Sequence, residues 1–174
     1  MHDKVRIISS LGIGATLLGA TAAMALETQP VLPTSLAMKA ASVSVESCAS
    51  QGYKVTATVL NQEGNLLIVI RNQGAGPHTI ENSFNKAYTS VSFGRAYNLN
   101  STRAIISSTK PGKGIGEFPL PASPIKGLSY SAGGINLTSN DFLIGSIGVS
   151  GSPNEDLDEN CARNGLNAIQ AELR

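Results

Sequence analysis

The chain has no tryptophan, two cysteines, two histidines and a charged fraction of only 14%. Each shortage removes a class of function. With Cys48 and Cys161 far apart in sequence and so few histidines, no clustered set of zinc ligands can be read. Neither cysteine belongs to a CxxC or CxxCH, so thioredoxin-type redox chemistry and covalent c-type haem attachment lack their signature. A formal net charge of +1 provides no basic stripe for a phosphate backbone, which argues against nucleic acid as a partner. There is no GxSxG nucleophile elbow, no GxxxxGK phosphate loop and no EF-hand spacing.

What is present begins with a targeting pattern. Lys4 and Arg6 precede an apolar, small-residue run from Ile7 to Ala23, and Ala23-Met24-Ala25 forms a small-x-small cleavage site. That reads as a secretory signal peptide over residues 1–25. The run is short and broken by Gly12, Gly14 and Gly19, which does not suit a retained membrane helix. The expected mature chain is one domain, residues 26–174 (149 residues), periplasmic or secreted, with no membrane segment after cleavage. Removing Lys4, Arg6 and Asp3 leaves eleven basic and eleven acidic residues, a formally neutral surface. In an oxidising compartment Cys48 and Cys161 are either a disulfide or two small buried thiols, and a bridge would close a loop of over a hundred residues.

The mature region is regular in its punctuation. Thr34 to Ser50 carries Leu36, Ala40, Val43 and Ala49 at helical spacing and ends before Gly52. "YKVTATVLN" and "NLLIVIR", separated by Gln62-Glu63-Gly64, read as a hairpin. Leu66 to Ile70 is apolar throughout, which predicts a central strand covered on both faces. Gly74, Gly76 and Pro77 form a turn, Thr79 can cap a helix over Ile80 to Phe93, and Ile80, Phe84, Ala87 and Val91 are its expected buried stripe. A second, weaker helix fits Tyr97 to Ser108. Seven glycines and prolines between Pro111 and Pro124 then predict a long irregular loop over 109–132. "GGINLTS", a turn at Asn140-Asp141 and "FLIGSIGVSG" read as paired strands. The glycines of "GSIGVSG" suit a strand against which another backbone packs closely, rather than a phosphate loop. A last helix starts at Pro153, with Glu155, Asp156, Asp158 and Glu159 in its first turns, where acids complement the helix dipole rather than hold calcium. The order is α-β-β-α-α-β-β-α: an α+β fold whose mainly antiparallel sheet, of about four to five strands, is flanked by helices.

Scarcity makes His78 the pivot, because it is the one histidine of the expected mature chain. At a helix start the dipole disfavours the imidazolium, leaving a ring nitrogen free to ligate a metal or accept a proton. The same helix start attracts anions. Lys86 lies eight residues on, about two turns, with Glu81 and Asn82 between, so a haem with its propionates and a small carboxylate both suit the set. A surface histidine beside a solvated lysine is the plain alternative. Thr79, Lys86 and Tyr88 are candidate second contacts to the ligand or its propionates, although a tyrosine at this spacing is more naturally a packing residue at a helix or subunit seam than an iron ligand. Arg71 and Arg95 could meet a carboxylate or make ordinary surface ion pairs.

"GPHTIENSFNKAYTSVSFGR" together with "IGSIGVSGSPNEDLDENCARNGLNAI" resembles the GlcG/HbpS-like family, the haem-degrading domain family that includes the C-terminal domain of PduO proteins. The likeness covers nearly the whole expected mature chain. It implies a compact α+β domain that forms homo-oligomers, with exported members acting as haem-binding, redox-sensing accessories. The family's haem-binding segment matches Pro77 to Thr79, so the carry-over falls on His78, as haem-iron ligand, and Thr79. Lys86 matches a recurrent family lysine whose role the match leaves open. Other members accompany glycolate or propanediol metabolism, so an enzyme with His78 as base and Lys86 as anion contact for a hydroxy or keto carboxylate is a second expectation. A structural or signalling oligomer with a vestigial pocket is a third. "FPLPASPIKGLSYSA" departs from the family by its length.

Overall fold

A computed structural model of the chain describes residues 28–108 and 126–173. The signal peptide expected over 1–25 and most of the loop expected over 109–132 lie outside the described residues. The elements are α1 (Thr34–Ala49), β1 (Thr56–Asn61), β2 (Leu66–Arg71), α2 (His78–Tyr97), α3 (Thr102–Ser107), β3 (Gly134–Ser139), β4 (Phe142–Ser150) and α4 (Glu155–Ile169). A single 3-10 turn, Gln170–Glu172, follows. The antiparallel α+β class and the element order are those the sequence predicts, and the sheet has four strands in the order β2-β1-β4-β3.

Both hairpin turns follow from their residues. Asn61 Oδ1 accepts from the backbone N–H of Glu63 (3.1 Å) and Asn65 (2.8 Å), and Gly64 takes a φ of +80°. Asn140 and Asp141 both adopt positive φ (46° and 67°), the requirement of a tight turn whose twist matches its strands.

Strand alternation gives the sheet two unlike faces. Ala57, Val59, Ile135, Leu137, Ile147 and Val149 join Ala37, Ala40, Val45 and Ala162 of α1 and α4 in the main core. Full burial of each of the larger of these side chains contributes about 1.5–3 kcal/mol. Cys48 and Cys161 stand in the same layer and form a disulfide with Cα atoms 5.7 Å apart, so of the two expectations for these residues the bridge is realised. The opposite face carries Thr56, Thr58, Gly134, Asn136, Ser146 and Gly148, a pattern that suits solvent, yet all are buried because α2 lies across it.

The contact beneath α2 is polar and close. A Cβ on Gly148 would stand 2.1 Å from the Ser83 carbonyl oxygen, and one on Gly134 would stand 2.2 Å from that of Lys86. The "GSIGVSG" strand therefore admits the helix backbone, as its glycines predict. Hydroxyls fill what remains: Thr58 and Ser83 share a hydrogen bond of 2.7 Å, Ser90 donates to Asn136 Oδ1 (2.8 Å), and Ser146 donates to the Ala87 carbonyl (2.8 Å).

That geometry corrects several expectations. The buried face of α2 is Thr79, Ser83, Lys86, Ala87, Thr89, Ser90, Val91 and Gly94, whereas Ile80 is 46% exposed and Phe84 is half-buried. Large apolar side chains cannot fit where the backbone itself touches the sheet, so only Ala87 and Val91 of the predicted stripe are buried. Among the described residues β2 is an edge strand, paired with β1 alone and partly exposed throughout; α1 covers one face while α2 lies over β4, β1 and β3. α2 runs from His78, with Pro77 as its N-cap residue, so Thr79 sits inside the first turn rather than capping it. Asn98 ends the helix in the left-handed conformation, which separates Tyr97, still in α2, from α3. Asn154 caps α4 by accepting from the Leu157 N–H (3.0 Å), leaving Pro153 just outside the helix.

Candidate functional site

The segment between β2 and α2 is held at both ends before any functional group is reached. Asn72 exchanges two hydrogen bonds with Val55, its N–H donating to the carbonyl (2.9 Å) and its Oδ1 accepting from the N–H (3.2 Å). Gly74 supplies the positive φ (+88°) that turns the chain. Arg71 Nη2 donates to the Ala75 carbonyl, clamping the loop from the strand side.

His78 is the first residue of α2 and is exposed. Its ring rests on Gly76: a Cβ there would stand 2.6 Å from Cε1, 2.9 Å from Nδ1 and 3.6 Å from Nε2. The Nδ1–Cε1 edge therefore lies nearest Gly76, and Nε2 is the farther nitrogen. Glycine at position 76 is what lets the imidazole lie this close.

Thr79 is 1% exposed, and its Oγ1 is shared between the Gly76 carbonyl (2.6 Å) and Thr56 Oγ1 (2.7 Å). One hydroxyl proton cannot serve both, so when Thr79 donates to Gly76, Thr56 donates to Thr79. This pair fixes the His78 turn to β1. Asn82 Nδ2 donates to Ser150 Oγ (2.9 Å) and ties the next turn to the end of β4, while Glu81 is exposed. His78, Thr79, Glu81 and Asn82 thus share the first turns of α2.

Lys86 and Tyr88 stand elsewhere. Lys86 is 1% exposed, and its Nζ lies 2.7 Å from Asp158 Oδ2 of α4. Asp158 Oδ1 also accepts the Ser152 N–H at 3.0 Å. The ammonium that the spacing placed beside His78 is instead turned inward and neutralised. Tyr88 stacks on Phe84 with ring centroids 5.8 Å apart, and its ring fills space that Cβ atoms on Gly64 or Gly127 would invade. It is a packing residue beneath the β1–β2 turn.

The acidic run at the start of α4 does more than complement a dipole. Glu155 accepts from the Ala132 N–H (2.8 Å) and the Ser131 hydroxyl (3.0 Å), while Glu159 pairs with Arg103 and with Arg163 (2.8 Å). The Ala132 hydrogen bond is the largest influence holding the Glu155 carboxyl below its ordinary value; burial opposes it, and Ser131, Arg103 and Lys86 assist. The sequence carried no signal that Asp158 would meet Lys86, because the partners are 72 residues apart. Nor did it reveal Arg71 as a clamp on the histidine loop.

A cavity of about 210 Å³ lies at the other end of α2, lined by Gly94, Arg95, Asn98, Asn136 and Phe142 among others. Arg95 is 17 residues from His78, about 25 Å along the helix axis, so the cavity and the imidazole are separate places. Among the described residues no group of three or more His, Cys, Asp or Glu is arranged to hold a metal ion.

These features define a class: a disulfide-linked α+β domain whose second helix rides on a glycine- and serine-faced sheet and presents one imidazole at its exposed start. Comparison with known proteins gives the class a name. Residues 32–167 match the family described as haem degrading protein HbpS-like, and the chain belongs to that family. Among solved structures, a double mutant of Streptomyces reticuli HbpS is 28% identical with a TM-score of 0.66, covering 90% of this chain and 99% of its own. A structure of HbpS is 30% identical with a TM-score of 0.65, covering 83% and 94%. A PduOC:heme complex is 21% identical with a TM-score of 0.70, covering 80% and 96%, and its likeness is one of fold. No match was found among curated proteins.

Proposed function

We propose that this chain is an exported haem-binding protein in which His78 would ligate the haem iron. The observation that carries the reading is the exposed imidazole at the start of α2, braced on Gly76 with Nε2 the farther ring nitrogen. The residues fit such a group. The His78 imidazole would supply the ligand, Ile80 offers an apolar surface 46% exposed on the same turn, and the buried Thr56–Thr79 hydroxyl pair keeps that turn rigid. When bound, haem supplies an iron centre for ligation and electron transfer. The protein's own part would be to hold the imidazole and to offer the exposed Ile80 as apolar surface beside the group.

Export, with residues 26–174 as the mature domain, is supported by the Cys48–Cys161 bridge, because disulfides persist in oxidising compartments. Assembly into a homo-oligomer is supported by the edge strand β2, which carries Leu66 at 55% exposure and no proline or lysine to blunt pairing. The small-carboxylate reading is not favoured, since it needs Lys86 at the surface and Lys86 is paired with Asp158.

The test is a haemin titration of the protein followed by visible absorbance, beside His78→Ala. Saturable binding near one haem per chain, with a Soret band that shifts or collapses in the variant, is expected. Absence of saturable binding in the unaltered protein refutes the proposal. Bleaching of the bound Soret band on adding a reductant in air would distinguish degradation from simple holding.

A further inference from the structure

The proposed haem site lacks one element: a positive charge for the two carboxylates that every iron protoporphyrin carries. Lys86 does not provide it, being buried against Asp158. Lys39, Arg103 and Arg163 are held in ion pairs with Glu172, Asp156 and Glu159. Arg95 is about 25 Å from His78 along α2. Lys126 adjoins Gly127, which lies against Tyr88, ten residues and about 15 Å along the helix from His78. Among the described residues two cations remain beside the histidine loop. Lys54 runs its stem within 4.0 Å of where a Cβ on Gly74 would stand, and Arg71 is anchored on the Ala75 carbonyl, three residues before His78.

We infer that Arg71 holds a carboxylate of the bound porphyrin, with Lys54 as a weaker second contact; this rests on the haem reading of His78. A guanidinium has five N–H donors in a planar fork, and the Ala75 carbonyl occupies one nitrogen, so the group is oriented while further donors stay available. Arg71 is exposed, and among the described residues no carboxylate lies within ion-pair distance of it. The hydrogen bond to Ala75 fixes the charge to the segment that positions the imidazole, so ligand and counter-charge move as one unit. A free surface arginine would first lose rotamer freedom to make the same contact.

The experiment compares haemin with its dimethyl ester, in which both carboxylates are neutral, for the unaltered protein, Arg71→Ala, Arg71→Lys and Lys54→Ala. The unaltered protein is expected to bind haemin more tightly than the ester. In Arg71→Ala the preference for haemin over the ester should fall roughly fivefold, the upper end for an exposed charge pair, beyond any loss that the missing Ala75 clamp imposes on both ligands alike. Arg71→Lys should keep part of the preference, and the preference should shrink in high salt. Equal weakening toward haemin and ester in Arg71→Ala would show that Arg71 only supports the loop and would overturn the inference. So would an Arg71→Ala protein that still prefers haemin as strongly as the unaltered one. Failure of the unaltered protein to bind haemin at all would overturn the haem reading together with this one, whereas saturable binding of equal affinity for haemin and its ester would overturn this one alone.

Discussion

The Lys86–Asp158 pair offers the sharpest test of how this fold is held. Both side chains are almost wholly buried, 2.7 Å apart, and link α2 to α4 across the end of the sheet. Opposite unit charges about 4 Å apart attract by about 4 kcal/mol at an effective dielectric constant of 20, and deleting one partner of a buried pair typically costs about 3–5 kcal/mol. The two deletions are not equivalent. Asp158→Ala strands both the Lys86 ammonium and the Ser152 N–H, whereas Lys86→Met leaves a carboxylate that keeps the 3.0 Å bond from Ser152. Asp158→Ala should therefore lie at or above the upper end of that range and Lys86→Met near the lower. The double replacement Lys86→Met, Asp158→Ala should recover most of the loss, short by about 1–3 kcal/mol for the Ser152 N–H left without an acceptor. Urea denaturation of the four proteins closes the cycle. Single losses below about 1 kcal/mol, or additive losses in the double variant, would refute the buried pair. Folded Lys86→Met should also bind haemin as the unaltered protein does; a loss there would return Lys86 to the ligand site.

Two further outcomes are expected. Closing a loop of 113 residues, the Cys48–Cys161 bridge should contribute about 4–5 kcal/mol on the chain-entropy account, read as a lower urea midpoint for Cys48→Ala, Cys161→Ala. Glu155 has a folded pKa below its ordinary value near 4.5, so its stabilising effect is present above that value and is lost as pH falls through the folded pKa. Stability should decline with acid from about pH 4.5 downward, and Glu155→Gln should flatten that decline, measured as urea midpoints across pH.

Some of this was legible in the residues. Asn140-Asp141 and Gln62-Glu63-Gly64 announced their hairpins because positive φ demands such residues, and the glycines of "GSIGVSG" announced a close backbone approach because nothing larger fits. His78 stood out by scarcity alone. The antiparallel α+β order followed from turn spacing and short apolar runs, all of them local properties of the chain.

Tertiary structure decided the rest, for reasons of placement. An apolar run such as Leu66 to Ile70 reads alike at the centre or the edge of a sheet, and only the strand order β2-β1-β4-β3 put it at the edge. Threonine and serine at alternate strand positions read as solvent-facing until α2 covered them and paired their hydroxyls with its own. Helical spacing placed Lys86 on the His78 side, but the depth of α2 against the sheet and an aspartate 72 residues away turned it inward. The sequence determined which groups were available; the close seating of α2 on a glycine-lined sheet decided which of them still face solvent.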